Sequence, residues 1–158
     1  MVATSGMEVL AYEIPGWGVG ELFFRGHLVY HELPTARRSS AAIVSDHPLV
    51  ERLRAYFAGE LVSFADVALD LDWCTPFQRA VADALHLVPH GETVTYGELA
   101  ALAGYPNAHR AAGTFCASNR FPLVLPCHRV VAAGGLGSYG ALGLDYKRRL
   151  LALEHVSL

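Results

Sequence analysis

The sequence predicts an α+β fold in two parts, a small antiparallel sheet with a helix over residues 1–72 and a mostly helical part over residues 73–158. Three observations carry this. Runs of β-favouring residues separated by tight turn signals crowd the stretch before residue 34. Two Thr-x-x-Gln/Glu capping boxes, at Thr75 and Thr95, open helices in the second half. The charge also divides there: residues 1–72 hold five Lys+Arg and ten Asp+Glu, a balance of −5, while residues 73–158 hold seven and five, a balance of +2.

In chain order, the first six residues carry no pattern and are expected to be disordered. Glu8–Ile14, then a Pro15-Gly16 turn, Gly20–Phe24, a tight Arg25-Gly26 and His27–His31 read as three strands of a meander. A helix from His47 or Pro48 to about Ala58 puts Leu49, Val50, Leu53, Tyr56 and Phe57 on one face, with Gly59 as its stop. Leu61–Asp72 reads as a last strand and an acidic linker. His27 and His31 stand at i, i+4, a spacing that gathers metal ligands on a helix and not on a strand, so no metal is expected.

Beyond Trp73, Thr75 caps a helix whose first position is Pro76 and whose apolar stripe is Phe77, Val81, Ala84, Leu85 and Val88, closed by Pro89-His90-Gly91. Thr95-Tyr96-Gly97-Glu98 opens a short helix that stops at Gly104, and Asn107 can cap a third from Ala108 to about Ser118. Two short helices across a glycine-containing turn describe a helix-turn-helix. Alone this is weak, since packed helix pairs are common. The third helix is nearly free of bulk at Ala108, Ala111, Ala112 and Gly113, with Arg110 projecting. Small residues suit close packing, but they also let a helix approach a narrow minor groove, and a buried unpaired Arg110 would be costly.

The apolar run Leu123-Val124-Leu125 reads as a buried strand stopped by Pro126, which places Cys127 and His128 at an element end. A lone cysteine is most often a small buried hydrophobe, and the alternative is a nucleophile with an adjacent base. After it, Ala132–Gly140 is glycine-rich and reads as a wing-like loop, which makes the second part a winged helix-turn-helix-like domain carrying the active site. Asp145–His155 forms the closing helix, with Leu144, Leu150, Leu151 and Leu153 apolar and Lys147, Arg148 and Arg149 as a solvated face.

Composition narrows the classes. With 158 residues and 53% apolar content there is material for a core. No apolar run approaches the roughly 18 residues of a membrane span, and no basic-then-hydrophobic leader is visible, so a cytoplasmic protein without a membrane partner is expected. Three cysteines, an odd count, argue against a disulfide framework and suit a reducing compartment. A balance of +2 in the second half implies few phosphate contacts.

Pro126-Cys127-His128-Arg129-Val130 resembles the active-site signature of the O6-alkylguanine-DNA alkyltransferases, also called methylated-DNA–protein-cysteine methyltransferases, and the resemblance covers roughly Thr75 to His155. It implies a repair protein for double-stranded DNA that flips O6-alkylguanine out of the duplex and moves the alkyl group irreversibly onto its own Cys127, acting as a monomer without a cofactor. By the same resemblance His128 is the base, Glu154 orients it, Asn119 orders the network, and Tyr96 assists rotation of the nucleotide and serves the departing guanine. Arg110 is the intercalating arginine on a minor-groove helix that includes Ala111 and Gly113, and Tyr139, Cys116 and Val130 line the pocket. The chemistry agrees, because an unactivated alkyl carbon calls for a thiolate, and a cysteine near pKa ~8.5 needs a base to become one.

The chain departs from the family's usual pattern at Asn119-Arg120-Phe121, where Asn-Pro is common, and at Thr114, Phe115 and Cys116; these bear on substrate size. Three other readings compete. A non-enzymatic sensor of alkylated DNA would replace the cysteine, which is present here. A sequence-specific regulator would carry long polar side chains on the third helix. A cysteine hydrolase would draw its histidine from far along the chain.

Overall fold

Residues 6–158 are described in a computed structural model. The expected disorder of the N-terminus lies outside the described residues up to position 5, and Gly6 stands in a turn. The chain forms two units, one of residues 1–70 with 120–122, the other of residues 71–119 with 123–158. The boundary expected after Asp72 therefore falls after Asp70, and a tripeptide from far downstream joins the first unit.

In the first unit, β1 (Glu8–Ile14), β2 (Gly18–Arg25) and β3 (His27–Thr35) pair antiparallel in the order β1-β2-β3. Gly26, at φ +74°, makes the tight turn between β2 and β3 in a conformation that glycine adopts without strain. Gly20 is needed for a different reason: a Cβ there would sit 2.5 Å from the Tyr12 ring, which crosses β2 in full burial. Helix α1 (Pro48–Phe57) buries Leu49, Val50, Leu53, Tyr56 and Phe57, as its spacing predicts, and His47 caps it by accepting from the Leu49 N–H at 3.1 Å. The strand expected within 61–72 is reduced to one parallel bridge, in which Leu28 exchanges backbone hydrogen bonds with Ala68 and Asp70. Residues 120–122 are held by the sheet, where the His31 N–H donates to the Arg120 carbonyl at 2.9 Å and Phe121 is wholly buried.

The second unit holds α2 (Pro76–Leu85), β4 (Val94–Thr95), α3 (Tyr96–Leu102), α4 (His109–Ala117), β5 (Val130–Val131) and α5 (Gly143–Leu153). Both capping boxes close reciprocally, Thr75 with Gln78 and Thr95 with Glu98. Val81, Leu85, Leu99, Ala100, Ala112 and Phe115 are buried where α2, α3 and α4 meet, and Leu150 and Leu151 are buried on α5. β4 and β5 pair in parallel, which ties the start of α3 to the segment after Cys127.

Four local expectations are corrected. Asn107 does not cap α4; it takes the turn at φ +82°, and Ala108 precedes the helix without a side-chain cap. Leu123-Val124-Leu125 is buried but not a strand, since Leu123 has φ +74° and the chain enters a single 3-10 turn, Cys127–Arg129. An apolar run of that length has no period to tell strand from turn. α5 begins at Gly143 and ends at Leu153, with Leu144 exposed and Glu154 as its C-cap. Lys147, expected on a solvated face, is fully buried.

Candidate active site

Pro126 offers no N–H, and the chain turns there: the Cys127 N–H donates to the Leu125 carbonyl at 2.7 Å and the Arg129 N–H to the Pro126 carbonyl at 3.0 Å. The turn carries Cys127, His128 and Arg129 inward, with relative exposures of 4%, 0% and 8%. Asn119, just past the end of α4, meets the thiol. Its Nδ2 donates to Cys127 Sγ at 3.1 Å and to the Leu125 carbonyl at 2.9 Å, so both amide hydrogens are committed and the amide cannot turn away. Burial raises the thiol's pKa; the Asn119 hydrogen bond, the Lys147 charge and the Tyr139 hydroxyl pull the other way without cancelling it. Burial therefore favours the thiol over the thiolate in the resting site.

Beside it, His128 Nε2 lies 2.6 Å from Glu154 Oε2. The carboxylate accepts, so Nε2 carries the hydrogen and the buried Nδ1 carries the lone pair. Glu154 is 3% exposed and would prefer to be neutral on that account, but it collects donors. Arg129 Nε reaches Oε1 at 2.9 Å, Arg129 Nη2 reaches Oε2 at 3.2 Å, and the Gly91 N–H reaches Oε1 at 2.9 Å. Burial raises the Glu154 pKa, and the bonds from His128, Arg129 and Gly91 outweigh it and hold the carboxyl well below its usual range. Burial in turn lowers the His128 pKa against the pull of Glu154, so the ring rests neutral. A neutral imidazole fixed by an ionised carboxylate is built to accept a proton at Nδ1.

Tyr96, the first residue of α3, is half-buried between two glycines. A Cβ on Gly113 of α4 would touch its ring at 3.6 Å, and one on Gly137, at φ +82°, would sit 2.7 Å from its hydroxyl. That hydroxyl accepts from the Ser138 N–H at 3.4 Å. Tyr96, His109, Arg110, Gly113, Thr114, Ala117, Gly137 and Ser138 line an open cleft of about 520 Å³, so the exposed side of α4 and the glycine-rich loop form its walls. Arg110 and Ala111 are exposed.

The structure thus brings Asn119, Cys127 and Tyr139 together, and His128 with Glu154, while Tyr96, Arg110 and Gly113 share the cleft. Cys116, Val130 and Tyr139 are not among the cleft's lining residues. Val130 is fully buried in β5, and burial raises the Cys116 thiol far up, with the nearby Cys127 adding to it. Two further residues belong to the site without having been expected there. Arg129 lies inside the signature and braces Glu154, and its Nη1 also donates to the Val88 carbonyl at 2.8 Å. Lys147 looks like one of three consecutive cations, yet Lys147, Leu150, Leu151 and Glu154 stand at i, i+3, i+4, i+7, the spacing of one helix face.

Residues 76–156 match the family model described as 6-O-methylguanine DNA methyltransferase, DNA binding domain. A methylated-DNA–protein-cysteine methyltransferase of Mycolicibacterium paratuberculosis is 53% identical over 106 residues, a match that spans 66% of this chain and 62% of that protein. The crystal structure of Mycobacterium tuberculosis O6-methylguanine methyltransferase superposes with a TM-score of 0.76 at 36% identity, covering 93% of both chains. Mycobacterium tuberculosis OGT in complex with DNA superposes with a TM-score of 0.76 at 39% identity, covering 92% of this chain and 91% of that one.

Proposed function

The chain belongs to the 6-O-methylguanine DNA methyltransferase family, and on that premise we propose that it repairs alkylated duplex DNA by taking the alkyl group of O6-alkylguanine onto its own Cys127, once and irreversibly. The observation that carries this is the buried thiol held by Asn119 next to a neutral histidine whose other nitrogen is fixed by an ionised glutamate. The relative seen in complex with DNA supports duplex DNA as the partner. Three free cysteines suit a reducing compartment, so we also propose that the protein works in the cytoplasm; that it acts as a monomer is part of the same proposal.

The steps rest on the residues. α4 approaches the minor groove with its small side chains, and Arg110 enters the stack where the guanine leaves it. The extruded base passes along the cleft beside Tyr96. His128 Nδ1 takes the Cys127 proton through a water, because adjacent side chains diverge along the backbone. The sulfur attacks the alkyl carbon, the carbon–O6 bond breaks, and its electron pair stays on guanine, which Tyr96 serves as a hydrogen-bond donor. The thioether has no hydrolytic exit, so each chain turns over once.

The deciding experiment mixes the protein with duplex DNA containing O6-methylguanine and reads intact and peptide masses. One methyl group per chain on Cys127, absent in Cys127→Ser, is the expected result. Multiple turnovers, methylation confined to Cys116, or lesion binding with no mass gain would overturn the assignment, the last of these favouring a damage sensor.

A further inference from the structure

Lys147 is a fully buried cation of α5, and the alkyl-transfer steps make no use of it. Its Nζ lies 2.6 Å from the Val130 carbonyl, 2.6 Å from the Leu136 carbonyl and 3.0 Å from the Ser138 carbonyl. An ammonium has three hydrogens, and these three acceptors use them all. The same Nζ stands 5.9 Å from the centre of the Tyr96 ring, within range of its negative face. The three carbonyls come from β5, from the middle of the glycine-rich segment and from its far end, so one side chain gathers the whole loop.

That loop has little else to hold it. Among residues 132–138 only Leu136 is a buried side chain, and Gly134 and Gly135 face open space. A glycine-rich segment loses much conformational freedom when ordered, and fixing it takes directed bonds. The loop must also stay close: Gly137 packs on the Tyr96 hydroxyl, and the Ser138 N–H donates to that hydroxyl. Lys147 therefore acts on Tyr96 in two ways, across the ring face and through the loop that lies against the hydroxyl.

We propose that Lys147 is a positioning residue for alkyl transfer, its ammonium fastening the glycine-rich loop over Tyr96 beside the Cys127 thiol. The proposal rests on the reading of Cys127 as the alkyl acceptor. Its charge adds a second effect, since the groups that feel it are the thiols of Cys127 on the 3-10 turn and Cys116 on α4, along with His128. A fixed positive charge beside a buried thiol eases formation of the thiolate.

The test uses the full chain with Lys147→Met and Lys147→Arg. Three quantities are read: the rate of methyl transfer in a single turnover on duplex DNA, the pH profile of Cys127 alkylation by iodoacetamide located by peptide mass, and the rate of proteolytic cleavage within 132–138. Lys147→Met is expected to slow transfer by about 10²-fold, as misplacement of a substrate-positioning group does. It should also move the alkylation profile upward by about one pH unit and speed loop cleavage. Lys147→Arg keeps the charge, but a planar fork does not fit three converging carbonyls; it should restore the pH profile and leave the loop loose and transfer slow. Wild-type transfer and cleavage in Lys147→Met, or full recovery of both in Lys147→Arg, would overturn the clamp. Should Lys147→Met fail to fold, the Lys147→Arg result still decides. A wild-type chain that gains no methyl overturns the proposed function, while the cleavage arm continues to judge the clamp.

Discussion

Among the described residues each unit buries one histidine almost completely, His31 at 1% exposure in the sheet and His128 at 0% in the 3-10 turn, yet the two rings are wired in opposite senses. His31 Nδ1 lies 2.8 Å from the Pro122 carbonyl, which can only accept, so Nδ1 holds the hydrogen and Nε2 accepts from the Tyr12 hydroxyl at 2.5 Å. His128 holds its hydrogen on Nε2 for Glu154 and keeps Nδ1 basic. Burial pushes both rings towards neutrality. What separates them is the partner. At His31 the Pro122 carbonyl favours the protonated ring, but burial outweighs it and the Tyr12 hydroxyl is satisfied by the neutral form, whereas at His128 an ionised carboxylate stands ready to stabilise the imidazolium that a base must become. The same side chain at the same depth is a tie in one unit and, in the proposed reaction, a proton acceptor in the other.

The sharpest way to break that contrast is to replace each histidine. His128→Ala should cut single-turnover transfer by about 10²- to 10⁴-fold, the range of a lost general base. His31→Phe should leave the rate near wild type wherever the chain is folded, and cost about 1–3 kcal/mol in urea unfolding by stranding the Tyr12 hydroxyl and the Pro122 carbonyl. Equal loss of rate in both would erase the distinction.

Next in size, Glu154→Gln keeps the shape and removes the charge. Transfer should fall by about 10²-fold, and stability should drop as well, because Arg129 is left as a buried cation without its anion. A variant that is slowed but not destabilised would show that Arg129 contributes nothing to holding the carboxylate.

The pH dependence of unfolding separates the two rings more gently. His31 stands at about 4 in the fold, against about 6.5 in an unfolded chain. Between those values the unfolded chain binds a proton that the native one refuses. Stability from this group is therefore full above about pH 6.5 and declines as pH falls towards 4, by about 3 kcal/mol. The change in unfolding free energy across that window, read from urea titrations, should shrink by that amount in His31→Gln, while the slope left by His128, of the same sign, persists. The least effect is expected at Cys116, whose thiol burial keeps protonated; Cys116→Ala should transfer methyl at the wild-type rate.

How much of the molecule is legible in its sequence depends on the range of the interactions. The β-favouring runs of β1 and β2 between their turns, the stripe of α1 and the two capping boxes are local signals, and each element stands where its pattern puts it. The signature with Asn119, Tyr96 and Glu154 is legible through resemblance, and the geometry supplies contacts for all three. Lys147 misleads because three adjacent cations look solvated unless the helical period is given precedence. The spacing of His27 and His31 argues against a metal, but the hold of His31 on residues 120–122 spans some ninety positions of chain and leaves no local trace. Leu123 misleads in the opposite way: its neighbours suggest a strand, whereas its backbone takes φ +74° at the point where the chain passes from the first unit back to the second.

The tripeptide Arg120–Pro122 also bears on how the protein can be divided. A truncation that removed everything before residue 71 would leave that loop with a bare phenylalanine ring at its centre, forfeiting about 1.5–3 kcal/mol of burial. The first unit is thus not a detachable cassette, and a graft of the second unit onto another protein would have to bring a replacement bed for Phe121 with it.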